Sequence, residues 1–135
     1  MQDVLGGVTT NRQIFFTEKA PHPIGPYSQA IIYNDLLFVS GQGPVDPATN
    51  KVVDNTIEGQ TRQILNNMKT IIAEAGFSME NALKINVFLE NINDFTAFNG
   101  VYEEFFTGSK PARACIQAGK LPAGWKAEID AIVGK

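Results

Sequence analysis

The sequence predicts an α+β fold in the order βββαβαββ, one mixed sheet carrying both helices on a single face. Two stretches place apolar residues at three- and four-residue spacing, which marks amphipathic helices. Three later runs, 83–89, 112–118 and 126–133, alternate residue by residue and read as strands. Short aromatic and β-branched runs precede the first helix and supply the remaining strands.

Residues 1–11 are small and polar and read as a loose extension, which leaves 12–135 as one domain. A first strand is expected over 12–17. Pro21, Pro23 and Pro26 then remove three backbone donors, so 20–26 is a stiff, ordered loop. Runs at 29–33 and 36–40 flank Asn34-Asp35, a pair that tolerates positive φ and suits a hairpin turn. Residues 46–50 form a further turn.

Thr56 is a good N-cap for the first helix, with Glu58 in its first turn. Its stripe is Ile57, Thr61, Ile64, Leu65, Met68, Ile71, Ile72 and Ala75, and Gly76 closes it as a left-handed cap. In the strand that follows, Leu83, Ile85, Val87 and Leu89 face one side, and Lys84, Asn86 and Phe88 the other. The second helix starts near Asp94, buries Phe95, Phe98, Tyr102 and Phe105, and ends at Gly108 before Pro111. Two helices cover one sheet face only. The other face, expected to carry Phe88, Arg113, Cys115 and Glu128, is then solvated or covered by another subunit, and an apolar residue among polar ones favours the subunit contact.

Composition excludes several classes. The net charge is −3 and the sequence pI about 5.1, with no cluster of Lys and Arg, which weighs against nucleic acid as a partner. No apolar run approaches the ~20 residues of a membrane span, and the amino terminus has neither a basic start nor an apolar core. Cys115 is the only cysteine, so no internal disulfide forms, and a reducing, cytoplasmic setting is expected. No motif for a phosphate loop, a dinucleotide or a tetrahedral metal is present, so neither a metal nor an organic cofactor is expected.

A few residues carry possible chemistry. Arg113 interrupts a small, apolar strand, where a guanidinium is costly unless paired. It meets an internal carboxylate such as Glu128 or Asp130, or it awaits an anionic ligand that its planar fork would grip in two hydrogen bonds. Pattern alone leaves those two readings even. Glu128, also within an apolar strand, marks an exposed face or a site where burial would raise its pKa. Tyr27 follows the proline loop as a pocket residue or as a core anchor. Cys115 is a nucleophile activated by Arg113 or, the favoured reading, a small buried residue. His22, the single histidine, has no partner at ligand spacing and reads as a surface imidazole, while Trp125 reads as core or interface.

Taken in order, several segments resemble the RidA/YjgF family. They are Ile24-Gly25-Pro26-Tyr27-Ser28-Gln29, Ser40-Gly41-Gln42, the run 99–106 (Asn99-Gly100-Val101-Tyr102-Glu103-Glu104-Phe105-Phe106), Pro111-Ala112-Arg113-Ala114-Cys115-Ile116, Leu121-Pro122 and Glu128-Ile129. The resemblance spans nearly everything after residue 12. It implies a chorismate-mutase-like fold, a homotrimer built around a central barrel, and active sites in clefts between subunits. It further implies hydrolytic deamination of 2-imino acids, such as 2-iminobutanoate and 2-iminopropanoate, to 2-keto acids and ammonia. The family's pocket positions match Tyr27, Ser40, Gly41, Asn99, Arg113, Cys115 and Glu128, with Arg113 and Glu128 as the catalytic pair. Gly43 and Ala127 depart from the larger aliphatics usual at those positions, and 117–120 is a less common run; these differences bear on substrate preference. Two other functions go with the resemblance: an endoribonuclease or translation inhibitor acting on single-stranded RNA, and a non-catalytic binder of small carboxylates.

Overall fold

The computed structural model describes residues 2–5 and 8–135. Among the described residues nine strands and two α-helices follow one another as β1 (Gln2–Leu5), β2 (Val8–Phe15), β3 (Ala30–Tyr33), β4 (Leu36–Gln42), β5 (Val45–Asp46), β6 (Lys51–Val52), α1 (Ile57–Glu74), β7 (Ala82–Leu89), α2 (Phe95–Phe105), β8 (Ala112–Gln117) and β9 (Ala127–Gly134). Seven strands form one sheet in the order β1-β2-β3-β4-β9-β7-β8, and β5 pairs with β6 in a separate small hairpin. All pairings in the large sheet are antiparallel except β7 with β8. The expected α+β architecture is what forms, with α1 packed on β4 and β9 and α2 against α1.

Local chemistry explains the first helix. The Thr56 hydroxyl accepts from the Gly59 amide at 3.0 Å, a cap worth about 1 kcal/mol. At the other end Gly76 takes φ +86°, donating to Ala73 O while Phe77 donates to Ile72 O, the paired bonds of a Schellman cap. Asn34 sits at φ +53° and turns β3 into β4. The core lies between helices and sheet, built on Leu37, Ile64, Leu65, Met68, Ile85, Phe98 and Ile129 among others.

The structure corrects the expected outline at several points. Part of the anticipated loose extension is strand: β1 pairs with β2, which begins at Val8 rather than residue 12 and ends at Phe15. Val8, Thr9 and Thr10 are β-branched, which favours this; Met1, Gly6 and Gly7 lie outside the described residues. Two strands of two residues each, β5 and β6, flank the turn at 47–50. Leu83 is 50% exposed, because the register slips between Ala82 and Lys84 and turns it away from the core. The second helix stops at Phe105, short of Gly108, and Phe95 at its first turn is exposed while Val101 takes a buried place.

The largest correction concerns which face Arg113 occupies. β8 runs parallel to β7 with Ile85 opposite Arg113 and Val87 opposite Cys115. Opposed residues point to the same side of a sheet, and Ile85 and Val87 are core residues. Arg113 and Cys115 therefore face α2, not the open face. That open face carries two rows in register, Ile14, Ile31, Phe38 and Ile132 in one, and Glu128, Phe88 and Ile116 in the other. Ile14, Phe38 and Ile116 are exposed there. Among the described residues no helix is long and apolar enough to cross a membrane.

Candidate active site

The residues singled out in the sequence fall into two groups. The first gathers at β8 and α2. Arg113 Nη1 donates to Asn99 Oδ1 at 2.8 Å, and its guanidinium carbon lies 4.7 Å from the Tyr102 ring centre, 5.6 Å from Phe95 and 6.0 Å from Phe98. Such cation–π contacts are worth about 1 kcal/mol each and fix the plane of the fork. No carboxylate pairs with Arg113 in the ion pairs formed among the described residues. Of the partners weighed from sequence, Glu128 is on the other face and Asp130 accepts from Asn86 Nδ2 at 2.9 Å. A cavity of about 260 Å³ opens beside the guanidinium, lined by Asn99, Tyr102, Glu103, Phe106, Lys110 and Pro111. A cation oriented by the neutral Asn99 and Tyr102 and facing a cavity is a ready anion receptor.

Tyr102 belongs to this group although its helical spacing marked it only as core. It is 8% exposed and its hydroxyl is buried without a hydrogen-bond partner. Burial raises its pKa, and the nearby Arg113 opposes that rise. Cys115 follows two residues on. Burial raises its thiol pKa more than Arg113 lowers it, so the protonated, poorly nucleophilic form is favoured.

The second group sits at the far end of β4. Gln29 is buried and clamps the proline loop, accepting from Thr17 N at 2.7 Å and donating to Pro21 O at 2.9 Å. The next turn holds Tyr27, whose hydroxyl accepts from Ile24 N at 3.2 Å. Ser40 Oγ donates to Ser28 O at 2.5 Å, and its amide to Gln29 O at 3.0 Å. A β-carbon on Gly41 would overlap the Glu128 carboxylate, so glycine is what lets this carboxylate lie across the β4 backbone. Glu128 has its pKa raised, first by burial and then by the like charge of Asp130. Tyr27 and Gly41 also line a cavity of about 210 Å³ with Ile24, Val45, Pro122 and Trp125. His22 lies at its rim, bonded to exposed Glu18 at 2.9 Å and edge-on to Phe16, in keeping with a surface imidazole.

The chain as a whole resembles known proteins. The family described as Endoribonuclease L-PSP matches residues 17–135. The chain is 47% identical to a RutC family protein of Pyrococcus horikoshii over 92% of its length and 98% of the relative's. It is 43% identical to the 2-iminobutanoate/2-iminopropanoate deaminase of Capra hircus, covering 90% of this chain and 88% of that one. Among solved structures, Escherichia coli TdcF with bound serine superposes with a TM-score of 0.86 at 37% identity, covering 91% of this chain and 98% of that chain. The chain belongs to the RidA/YjgF family.

Within this RidA/YjgF chain the seven residues matched to the family pocket are not brought together. Asn99, Arg113 and Cys115 stand on the α2 side of the edge strand β8; Tyr27, Ser40, Gly41 and Glu128 stand around the end of β4. Their separation follows from strand pairing, which sequence alternation does not reveal. Gly43 and Trp125 are the other surprise. A β-carbon on Gly43 would overlap the six-membered ring of Trp125, so the indole occupies the room a larger residue would need. Ala127 is fully buried in the core and lines neither cavity.

Proposed function

We propose that this protein hydrolyses 2-imino acids to 2-keto acids and ammonia, at sites completed by two copies of the chain. The observation that carries this reading is Arg113, oriented by Asn99 and the Tyr102 ring, facing a cavity in which Glu103 and Lys110 also stand but joined to no carboxylate in the ion pairs formed among the described residues. A relative named as an imine deaminase and a structural neighbour with a bound amino acid support an α-carboxylate as the ligand. Because Glu128 lies on the opposite sheet face, a neighbouring copy must supply it. The apolar open face supplies a surface for that assembly, and a homotrimer is the form the family resemblance implies.

In this scheme Arg113 holds the carboxylate by two hydrogen bonds and fixes the C=N group. The neighbour's Glu128 takes a proton from water as the water oxygen bonds to the imine carbon and the C=N electron pair moves to nitrogen. Glu128 returns that proton to the nitrogen, giving a carbinolamine. It then takes the hydroxyl proton and passes it to the nitrogen as the C=O bond forms and the C–N bond breaks, releasing ammonia and the 2-keto acid. Protonated Cys115 is a bystander in covalent terms. The cytoplasm is the compartment this reading assigns to the protein, on the reducing setting that suits a single free cysteine.

The test generates 2-iminobutanoate with threonine dehydratase and traps the surviving imine with semicarbazide. Wild-type protein lowers the trapped imine and Arg113→Ala does not. Undiminished trapping with wild type overturns the proposal. A parallel incubation with single-stranded RNA is expected to leave the RNA intact.

A further inference from the structure

Trp125 and Gly43 form one wall of a chamber whose chemistry the reaction scheme leaves unused. The indole lies where the side chain of residue 43 would project, so the pair acts as a unit. Helix α1 holds both halves with buried amides. Gln60 donates to Gly124 O at 2.8 Å and accepts from Lys126 N at 2.7 Å, bracketing Trp125. Asn67 donates to Val45 O at 2.8 Å and fixes the strand just after Gly43. A wall pinned from two sides keeps its shape when a ligand arrives.

The rest of the chamber is largely apolar: Pro21, Pro23, Ile24, Tyr27, Val45 and Pro122. Its buried amides are committed elsewhere, Gln29 to the proline loop and Gln42 Nε2 to Ser40 O at 3.1 Å. The chamber touches Gly41, against which the Glu128 carboxylate lies. Glu128 does not itself line the chamber, but Gly41 borders both, so the side chain of an imine held at Glu128 meets this apolar space of about 210 Å³ across Gly41. A methyl group would leave most of that space empty, whereas a branched or aromatic group would fill it.

We infer that Trp125, seated on Gly43, is a specificity-determining residue that selects 2-imino acids with large apolar side chains, such as isobutyl or benzyl. This rests on the imine-deaminase reading for the reaction, but side-chain selection can be measured without turnover. Each further methylene buried is worth roughly fourfold in affinity, so isobutyl should exceed methyl by tenfold or more.

Trp125 is the only tryptophan, so its fluorescence reports ligand entry directly. Titrating the full-length protein with 4-methyl-2-oxopentanoate and with pyruvate is expected to shift Trp125 emission, with at least tenfold tighter binding of the branched acid. Calorimetry on Trp125→Ala, and on Trp125→Leu in case the alanine variant folds poorly, should show the preference reduced below threefold. Equal affinities in wild type overturn the inference, as does a Trp125 variant that folds and weakens both acids by one factor. Imines made from leucine and alanine by an amino-acid oxidase separate the two ideas. Retained side-chain preference in binding with no imine consumed defeats the deaminase reading alone.

Discussion

Arg113 and Asn99 are joined by a 2.8 Å hydrogen bond between the edge strand and α2, and this bond sets the direction in which the guanidinium points. Asn99→Ala should leave the fold intact and cost about tenfold in kcat/KM for 2-iminobutanoate, since a hydrogen bond to a charged group is lost. Asn99→Asp should cost more, because it hands Arg113 the carboxylate it lacks. Arg113→Lys should retain little activity, as an ammonium cannot make the planar fork. Steady-state rates from the semicarbazide assay decide all three.

Mixing variants tests the division of the site. Arg113→Ala and Glu128→Gln homomers should each be inactive. In the proposed scheme each site draws one group from each of two chains, so random reassembly at equal amounts should restore about a quarter of wild-type activity, one half times one half. No recovery in reassembled mixtures would place both groups in the same chain's site.

Glu128 gives the reaction a pH signature. Its folded pKa stands above the ordinary 4.5, so the acidic limb of kcat/KM should lie above that value. The same shift has a thermodynamic face. The fold binds this proton more tightly than the unfolded chain, so the Glu128 contribution to stability is complete below the unfolded value and declines as pH rises through the folded one. Glu128→Gln should remove that decline. Its Tm should therefore exceed wild type at neutral pH by more than it does at pH 4.

Gly41→Ala should cost about 1–3 kcal/mol of stability, read from urea midpoints, because the new methyl overlaps the Glu128 carboxylate. Restoring room with Gly41→Ala in a Glu128→Ala background should recover most of the loss.

Cys115→Ala should keep substantial deaminase activity. At pH 7 iodoacetamide should modify the native thiol more slowly than the same cysteine in urea, since burial disfavours the thiolate.

What the sequence reveals and what it hides divide along local and non-local lines. Thr56, Gly76 and Asn34 act through bonds within a few residues, so their roles are legible from spacing and residue type. Alternation correctly separates the two faces of β9, because Ala127, Ile129, Ala131 and Val133 are all buried. It cannot say that β8 joins β7 in parallel, and that pairing turns Arg113 toward α2. Leu83 is misread because a register slip, not composition, decides its side. Tyr102 has the same 3.6-residue phase as its core neighbours, and nothing in that phase marks a hydroxyl left without a partner. Gly43 and Trp125 are 82 positions apart, and only the fold shows that one makes space for the other.

The position of β9 in the sheet has a consequence for how the chain is made. The last strand lies between β4 and β7, pairing Leu37 with Val133 and Ile85 with Ala131. Until it is in place, the strands before α1 and those after it have no hydrogen bonds to each other within the sheet. During synthesis two strand edges therefore stay open until the eight residues of β9, Ala127–Gly134, close them. Folding should be slow for the chain's size, since the decisive pairings span most of its length. Nicks or truncations within the last strand should yield aggregation-prone chains rather than merely less stable ones.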